Sequence, residues 1–514
     1  MKAKRMIAFL LAALMCLPLI ASCAKEQGGT EFTRPPSDSG SSDPDFPSAD
    51  YEKEDFTFLY IKHSDVGKDY YGGNYLDSDA LEGYTIEDAV YERNLAVEEK
   101  YNVTVTQDVQ ISGDPAKLLQ KKYMAGEFNF DVIYGWCYKL GACITENYFE
   151  DFYKLRDNGT ANLDQEYWSP TAMEDLTVDG KLYLCMNDIT MNKLEWAGFI
   201  FFNKNIYEDN RLEDEFGSSI YDMVDNGTWT LDTYLKMVSF VSSDLDGNGK
   251  FDKEDLYGLL DGGNSGADTA HWCGVDYTVK NDDGSYSLNF YSEKLLDIIG
   301  KVNPVYSNNK YVLTYENIWN DNADMSGSTD QWEYARSFFA TDHALFCTGS
   351  AYITSEFRNM ESAYGIIPCP KYDENQKSYY AGVSSLASIF ALPSTQRTDM
   401  KTAGLERTGT VLEYMAYKSS QILLPVYYDT LLKGQRLDND DDQRMLDVIR
   451  SSVRFEFVDS VGLEDFGTIL SSMYTRPTSA TSTYDRNKRK LQKSLDDFYS
   501  DIVLLESKQA STDK

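Results

Sequence analysis

The residues whose types and spacing spell out chemistry most clearly run from Asp244 to Asp255. Read as a twelve-residue loop, this stretch places side-chain oxygens at positions one, three, five, nine and twelve, namely Asp244, Asp246, Asn248, Asp252 and Asp255. Gly249 stands at position six, where the backbone must turn sharply, and Lys250 at position seven would offer its carbonyl. A hard cation such as Ca2+ needs that convergence of carboxylates and carbonyls from one short loop. Position twelve is Asp255 rather than the usual Glu, so its shorter arm would bind through one oxygen or through water. The alternative is a polar Asp/Gly turn that holds no ion. The loop follows an expected helix, Leu231 to Ser242 with Thr230 as its cap, and precedes the apolar run Leu256–Leu260. It lacks a second long helix and a twin loop, which argues for a structural Ca2+ staple rather than a sensor.

Motifs for enzymatic work are missing. The chain has no G-x-S-x-G, no P-loop, no G-x-G-x-x-G and no H-E-x-x-H, and His63, His271 and His343 are its three histidines. A paired-carboxylate glycosidase leaves no local spacing signature and stays as an alternative, though a non-enzyme is expected. Six cysteines follow residue 100: Cys137, Cys143, Cys185, Cys273, Cys347 and Cys369, none in C-x-x-C spacing. On one helix Cys137 and Cys143 would be separated by about 9 Å of rise, beyond disulfide reach. They read as buried small hydrophobes, with Cys347–Cys369 the one pairing worth testing.

The elements that must position these residues belong to a chain too long for one core. With 514 residues, two lobes are expected. A balance of 48 basic against 83 acidic residues gives −35, which repels nucleic acid and anionic membrane surfaces. At the N-terminus Lys2, Lys4 and Arg5 precede an apolar run from Met6 to Ile20, too short for a comfortable membrane span and typical of a signal peptide. Small residues stand directly before Cys23, an arrangement similar to a bacterial lipobox; cleavage there would leave Cys23 lipidated. An ordinary signal peptide with an incidental cysteine is the alternative. From Ala24 to about Asp50 the Gly/Ser/Pro/Asp composition reads as a flexible tether.

Beyond the tether, strands are expected at Phe56–Ile61, Val103–Thr106 and Phe130–Gly135. Helices are expected after Thr85, with Ile86, Val90, Val97 and Tyr101 on one face, and from Pro115 to Met124. Alternation of strand and helix predicts a parallel α/β lobe. Further strands are expected at Lys181–Cys185 and Phe199–Phe202.

The run YTIEDAVYERNLAVEEKYNVTV, the strand FDVIYGW, the segments FIFFNKNIYED and GTWTLDTYLKMVSFV, and the later FFATDHALFCTGSAYITSEF and MLDVIRSSVRFEF occur in an order that resembles the solute-binding proteins of bacterial ABC importers. The resemblance is to the carbohydrate-binding branch, of which maltose-binding protein is the familiar member. It implies a two-lobed α/β fold of the periplasmic-binding-protein type II, with a ligand cleft between lobes joined by crossing strands. It also implies a carbohydrate ligand, permease subunits as partners, and a monomer held at the extracellular face of the membrane through its lipid. A surface glycan-binding or adhesion lipoprotein without a transporter is the alternative. The implied division is 1–22 leader, 23–53 tether, 54–160 first lobe, 161–385 second lobe, 386–430 return to the first lobe, and 431–514 C-terminal helices mainly on the second.

A sugar site needs a flat aromatic platform and polar side chains. Trp136 and Tyr138 follow a strand end, where ligands meet open α/β sheets, although Trp136 also suits a core. Asp188 and Trp196 lie on the polar approach to the Phe199–Phe202 strand, which the resemblance places at the cleft; packing roles are the alternative. The segment Asn264–Tyr277 is expected as an irregular loop carrying Asp268, His271, Trp272 and Asp276, with Trp272 the chosen lining residue. The resemblance makes Tyr352 a platform residue, with a core tyrosine as the alternative, while Glu356 and Arg358 read as surface helix residues. Asp65 represents the loop with His63, Tyr70, Tyr71 and Asn74 at the cleft rim. The acidic run Asp438–Asp442 reads as a solvated helix start.

Overall fold

A computed structural model describes residues 44–62, 75–78, 86–252, 254–262, 265–315, 318, 331–357, 359–433, 440–463 and 465–512. The chain divides into two units, Met1–Pro47 and Ser48–Lys514, and the architecture below is that of the second. The leader, Cys23 and most of the tether, the rim loop with His63, Asp65, Tyr70, Tyr71 and Asn74, and Thr85, Arg358, Asp438 and Asn439 lie outside the described residues. Among the described residues no helix is long and apolar enough to cross a membrane.

Two five-stranded sheets organise the unit. The first runs in the order Val103–Ile111, Glu54–Lys62, Val132–Trp136, Ser388–Pro393, Phe149–Glu150. Its first three strands are parallel, as strands joined through helices must be, and Ser388–Pro393 enters antiparallel beside Val132–Trp136. The second runs Tyr364–Pro368, Phe199–Asn203, Ala344–Gly349, Tyr257–Asp261, Val312–Thr314. Val132–Trp136, Phe199–Asn203 and Tyr257–Asp261, all inner strands, are buried along their whole length, which is why they read as apolar runs rather than alternating ones.

The helix Ile86–Tyr101 buries Val90, Val97 and Tyr101 against the first sheet, yet Arg93 sits fully buried on the same face. Its guanidinium donates to the carbonyls of Ile189 and Tyr75, both at 2.6 Å, tying this helix to two distant stretches of backbone. The Leu231–Val241 helix is capped as expected, with the Thr230 hydroxyl accepting from the Thr233 N–H.

Chain segments cross between the sheets close together. Ala197 bridges Val383, the Gly198 N–H donates to the Gly382 carbonyl at 2.9 Å, and Ala381–Gly382 pairs in parallel with Val453–Arg454. The C-terminal elements touch both sides of this crossing. The short helix Phe457–Ser460 packs on Cys137–Gly141, and the long helix Ala480–Thr512 packs on Tyr286–Leu288 and on Ile144–Glu146. A Cβ on Gly141 would lie 1.8 Å from the Ser460 carbonyl oxygen, so only glycine permits that approach.

Several expectations need correcting. Lys181–Cys185 forms no strand: the side chains from Leu182 to Cys185 are buried, but the backbone bridges only singly, at Val178–Lys181 and Cys185–Phe390. Burial satisfied the apolar pattern without a ladder. Asn264–Tyr277 is not irregular throughout, since Ser265–Trp272 is a helix with Asp268 in its first turn, where the helix dipole favours an acid. The acidic helix start is not wholly solvated either. Asp442 is fully buried, accepting from the Tyr221 hydroxyl at 2.6 Å and pairing with Lys204 at 3.0 Å. All six cysteines after residue 100 are buried and free, including Cys347 and Cys369.

Candidate functional site

A cavity of about 860 Å³ opens where the second sheet, the crossing segments and the C-terminal helices converge. The sheet contributes Phe199 and the Thr348–Ser350 strand end, and the helix Ser265–Trp272 contributes Asp268, His271 and Trp272. The crossing segments supply Trp196, Tyr380, Gly382 and Arg454. Glu456, Asp459 and the hydroxyl-bearing Thr468, Ser471, Ser472 and Thr475 close the far side. The volume suits an oligosaccharide or a similar solute.

Aromatic surface and charge are distributed unevenly over this wall. Trp196 is half-buried and stacks on Tyr352, with ring centroids 5.1 Å apart and planes 13° from parallel, so its indole is held rigid at the cavity edge. Both arginines are engaged by acids of the fold. Arg336 grips Glu356 through two hydrogen bonds of 2.5 Å, and Arg454 grips Asp175 through bonds of 2.7 Å. The Arg454 guanidinium also lies 5.0 Å from the centre of the Tyr380 ring. His271 Nδ1 approaches Glu456 at 3.5 Å, but burial pushes the imidazole down to about 4, so it is neutral near pH 7.

The acids behave in the opposite sense. Burial, then the nearby Asp261 and Asp459, pushes Asp268 up to about 7, and burial pushes Asp459 up to about 6. Burial, with Asp459 and Asp276 close by, raises Glu456 well above its ordinary range. Asp268 illustrates how this comes about: its side chain is exposed to the cavity, yet protein encloses it at slightly longer range.

Of the residues singled out from the sequence, Trp196 and Trp272 line this cavity, and Asp268, His271 and Asp276 stand with them. Tyr352 supports Trp196 from behind. Trp136 is only 7% exposed and stacks on Tyr138, with centroids 5.8 Å apart; neither lines the cavity. Asp188 is fully buried, bound to Lys193 and, at 2.7 Å, to Arg450, so it serves an internal ion cluster away from the cavity wall. Glu356 is no surface residue, because it neutralises Arg336 in the wall. Arg454, Glu456 and Asp459 escaped the sequence reading. The alternation V-R-F-E-F from Val453 to Phe457, with its buried apolar residues and half-exposed charges, is the local signal that marks the first two.

The Asp244–Asp255 loop sits elsewhere. Paired hydrogen bonds between Ser243 and Leu256 pinch its base, and Gly247 and Gly249 take φ of +72° and +78°. Asp244 accepts from the Gly247 and Gly249 N–H groups at 2.7 and 2.8 Å. Asp255, fully buried, accepts from Leu245 at 2.8 Å and Asp252 at 2.9 Å. Carboxylate oxygens of Asp244, Asp246 and Asp255 lie within 4.8 Å of one another, a donor set that fits a hard cation.

No family model matches the chain, and no curated protein matches it. Among solved structures the chain is similar to an ABC substrate-binding protein of Listeria monocytogenes in complex with cycloalternan, at 11% identity and TM-score 0.51 over 86% of this chain and 99% of that one. It is also similar to UspC of M. tuberculosis, at 12% identity and TM-score 0.53 over 86% and 100%. A sugar transporter protein of Rhizobium etli in an open conformation gives 12% identity and TM-score 0.50 over 86% and 99%. The chain therefore has the two-lobed α/β fold of periplasmic binding proteins.

Proposed function

We propose that this protein is a solute receptor that captures a carbohydrate, an oligosaccharide by the size of the cavity, and presents it to an ABC permease. The observation that carries the reading is the cavity at the crossing of the two lobes, walled by Trp196 and Trp272 together with carboxylates and hydroxyls. Indole faces suit the C–H side of a sugar ring, and carboxylates and hydroxyls suit its hydroxyl groups. Similar folds that carry sugar ligands or sugar-transport names support the same class. Binding would favour whichever arrangement of the lobes brings the second sheet, the crossing segments and the C-terminal helices onto the ligand. A lipid on Cys23 would tether the receptor at the outer face of the cell membrane as a monomer.

Calorimetry against an oligosaccharide panel tests the reading. A ligand whose affinity drops about tenfold or more in Trp196→Ala supports it, as expected for losing a well-packed aromatic anchor. No binding to any glycan, beside tight binding of a peptide, would sink the carbohydrate assignment.

We further propose that Asp244, Asp246, Asn248, Asp252, Asp255 and the Lys250 carbonyl hold a structural Ca2+. The loop precedes the strand Tyr257–Asp261, whereas the cavity meets that strand's other end at Gly262. A five-residue strand separates the two by roughly 17 Å, too far for the ion to touch a ligand. EDTA should lower the melting temperature and leave glycan affinity unchanged. Lost affinity at constant stability would assign the ion to ligand binding instead.

A further inference from the structure

The helix Gln331–Ala340 leads into the strand Ala344–Gly349 through the short turn Thr341–His343 and packs back along it. Its start therefore stands at the end of the sheet where the mutually parallel strands Tyr257–Asp261, Val312–Thr314 and Ala344–Gly349 all finish. That is the cavity end, lined by Gly262, Tyr315 and the Thr348–Ser350 strand end, the position at which open α/β sheets meet ligands. Arg336 of this helix lies in the wall, bound to Glu356, and also hydrogen-bonds the Tyr315 hydroxyl. Trp332 stands one turn earlier on the same helix face. Its ring meets Tyr315 edge to face, with centroids 5.3 Å apart and planes 63° apart. Tyr315 is 3% exposed, whereas Trp332 is 41% exposed, and among the described residues no other tryptophan is exposed. Beyond Tyr315 the cavity wall thus continues as an indole that is open to solvent.

Resting on the carbohydrate reading, we propose that Trp332 is an outer subsite, on whose indole a sugar unit projecting from the cavity past Tyr315 stacks. The ligand is then an oligosaccharide longer than the cavity encloses. The C–H face of a sugar ring is a flat apolar surface, and an indole covers it with few rotamers to freeze. Contact with Tyr315 steadies the indole, and Arg336, itself gripped by Glu356, steadies Tyr315, so the platform is set before the ligand arrives. A disaccharide seated against Trp196 and Trp272 leaves Trp332 in water and gains nothing from it. Affinity therefore rises with chain length, and the rise due to the projecting unit belongs to Trp332. Glu356 already neutralises the one nearby wall cation, Arg336, so the subsite selects for length rather than for charge.

The test is calorimetry with malto-, cello- and xylo-oligosaccharides, from disaccharide to hexasaccharide, on the natural protein, Trp332→Ala and Trp332→Phe. In the series that binds, the longest members should bind the natural protein about fivefold or more tighter than the disaccharide. Trp332→Ala should erase most of that gain while leaving disaccharide affinity unchanged, and Trp332→Phe should keep part of it, with melting curves showing that both variants fold. Acrylamide quenching gives a second readout: long ligands, but not the disaccharide, should shield the fluorescence that Trp332→Phe removes. Affinity lost equally by short and long members would make Trp332 a support for the wall. That result, equal affinity at every length, or a length preference untouched by Trp332→Ala overturns the subsite and leaves the carbohydrate reading standing. Binding of none of the three series overturns both.

Discussion

Asp131 sits 2% exposed between two guanidinium groups, taking Arg397 at 2.9 Å on one oxygen and Arg407 at 2.5 Å on the other, while the Thr57 N–H donates to it at 2.8 Å. This carboxylate fastens the returning 397–407 segment to the first sheet. Asp131→Asn would remove the charge that joins the two guanidinium groups, leaving Arg397 its pair with Asp399 at 2.9 Å and Arg407 the Glu54 carboxylate at 3.8 Å, and urea denaturation should register a loss of about 2–3 kcal/mol. A loss below about 1 kcal/mol would mean water already screens the cluster. In the cavity, titration gives the second residue-scale prediction. Asp268 and Asp459 ionise at about 7 and about 6 in the folded protein, against about 4 in an unfolded chain. Between those values the folded state holds the extra protons, so these groups withdraw stability as pH rises from about 4 to about 7. His271, lowered to about 4, opposes them, because there the unfolded chain holds the extra proton up to about 6.5. Removing the acid contribution in Asp268→Asn should make the melting temperature fall less, or rise more, across that window than in the natural protein. Parallel profiles would show that Asp268 does not titrate there.

At the scale of elements, the sequence was most legible where the signal is local. The Glu54–Lys62, Val103–Ile111 and Val132–Trp136 strands and the Ile86–Tyr101, Pro115–Ala125 and Leu231–Val241 helices lie where apolar runs, helical periodicity and caps place them. The failures share a cause. Lys181–Cys185 has a strand's composition but no neighbouring strand to complete a ladder, and Ser265–Trp272 is a short helix that its glycine and polar content disguised as a loop. Nothing in the sequence of Cys137–Gly141 announces that it must approach Phe457–Ser460 closely enough to exclude a Cβ. Gly141→Val should push that C-terminal helix away and displace Asp459 with it. Lower stability with weakened ligand binding is the expected pair of effects, read by thermal melting and calorimetry. Unchanged values for both would mean that the backbone absorbs the added side chain.

At the scale of the whole molecule, small residues at the crossing, Ala197, Gly198, Gly382, Ser384 and Ser385, leave room for the lobes to rotate about paired backbone rather than through packed side chains. Small-angle scattering should therefore show a smaller radius of gyration when a tight ligand saturates the cavity. An unchanged radius would argue for a preformed pocket that needs no closure. What the sequence determined alone was what has its partners within a turn or a strand: most of the element types, the Thr230 cap and the donor order of the Asp244–Asp255 loop. Tertiary structure alone decided the cavity wall. It buried Asp188 and Trp136 away from it and brought Asp268 and Asp276 beside Glu456 and Asp459. Those acids converge only after the second sheet, the crossing segments and the C-terminal helices have packed, because packing fixes which distant backbones become neighbours while residue spacing along the chain does not.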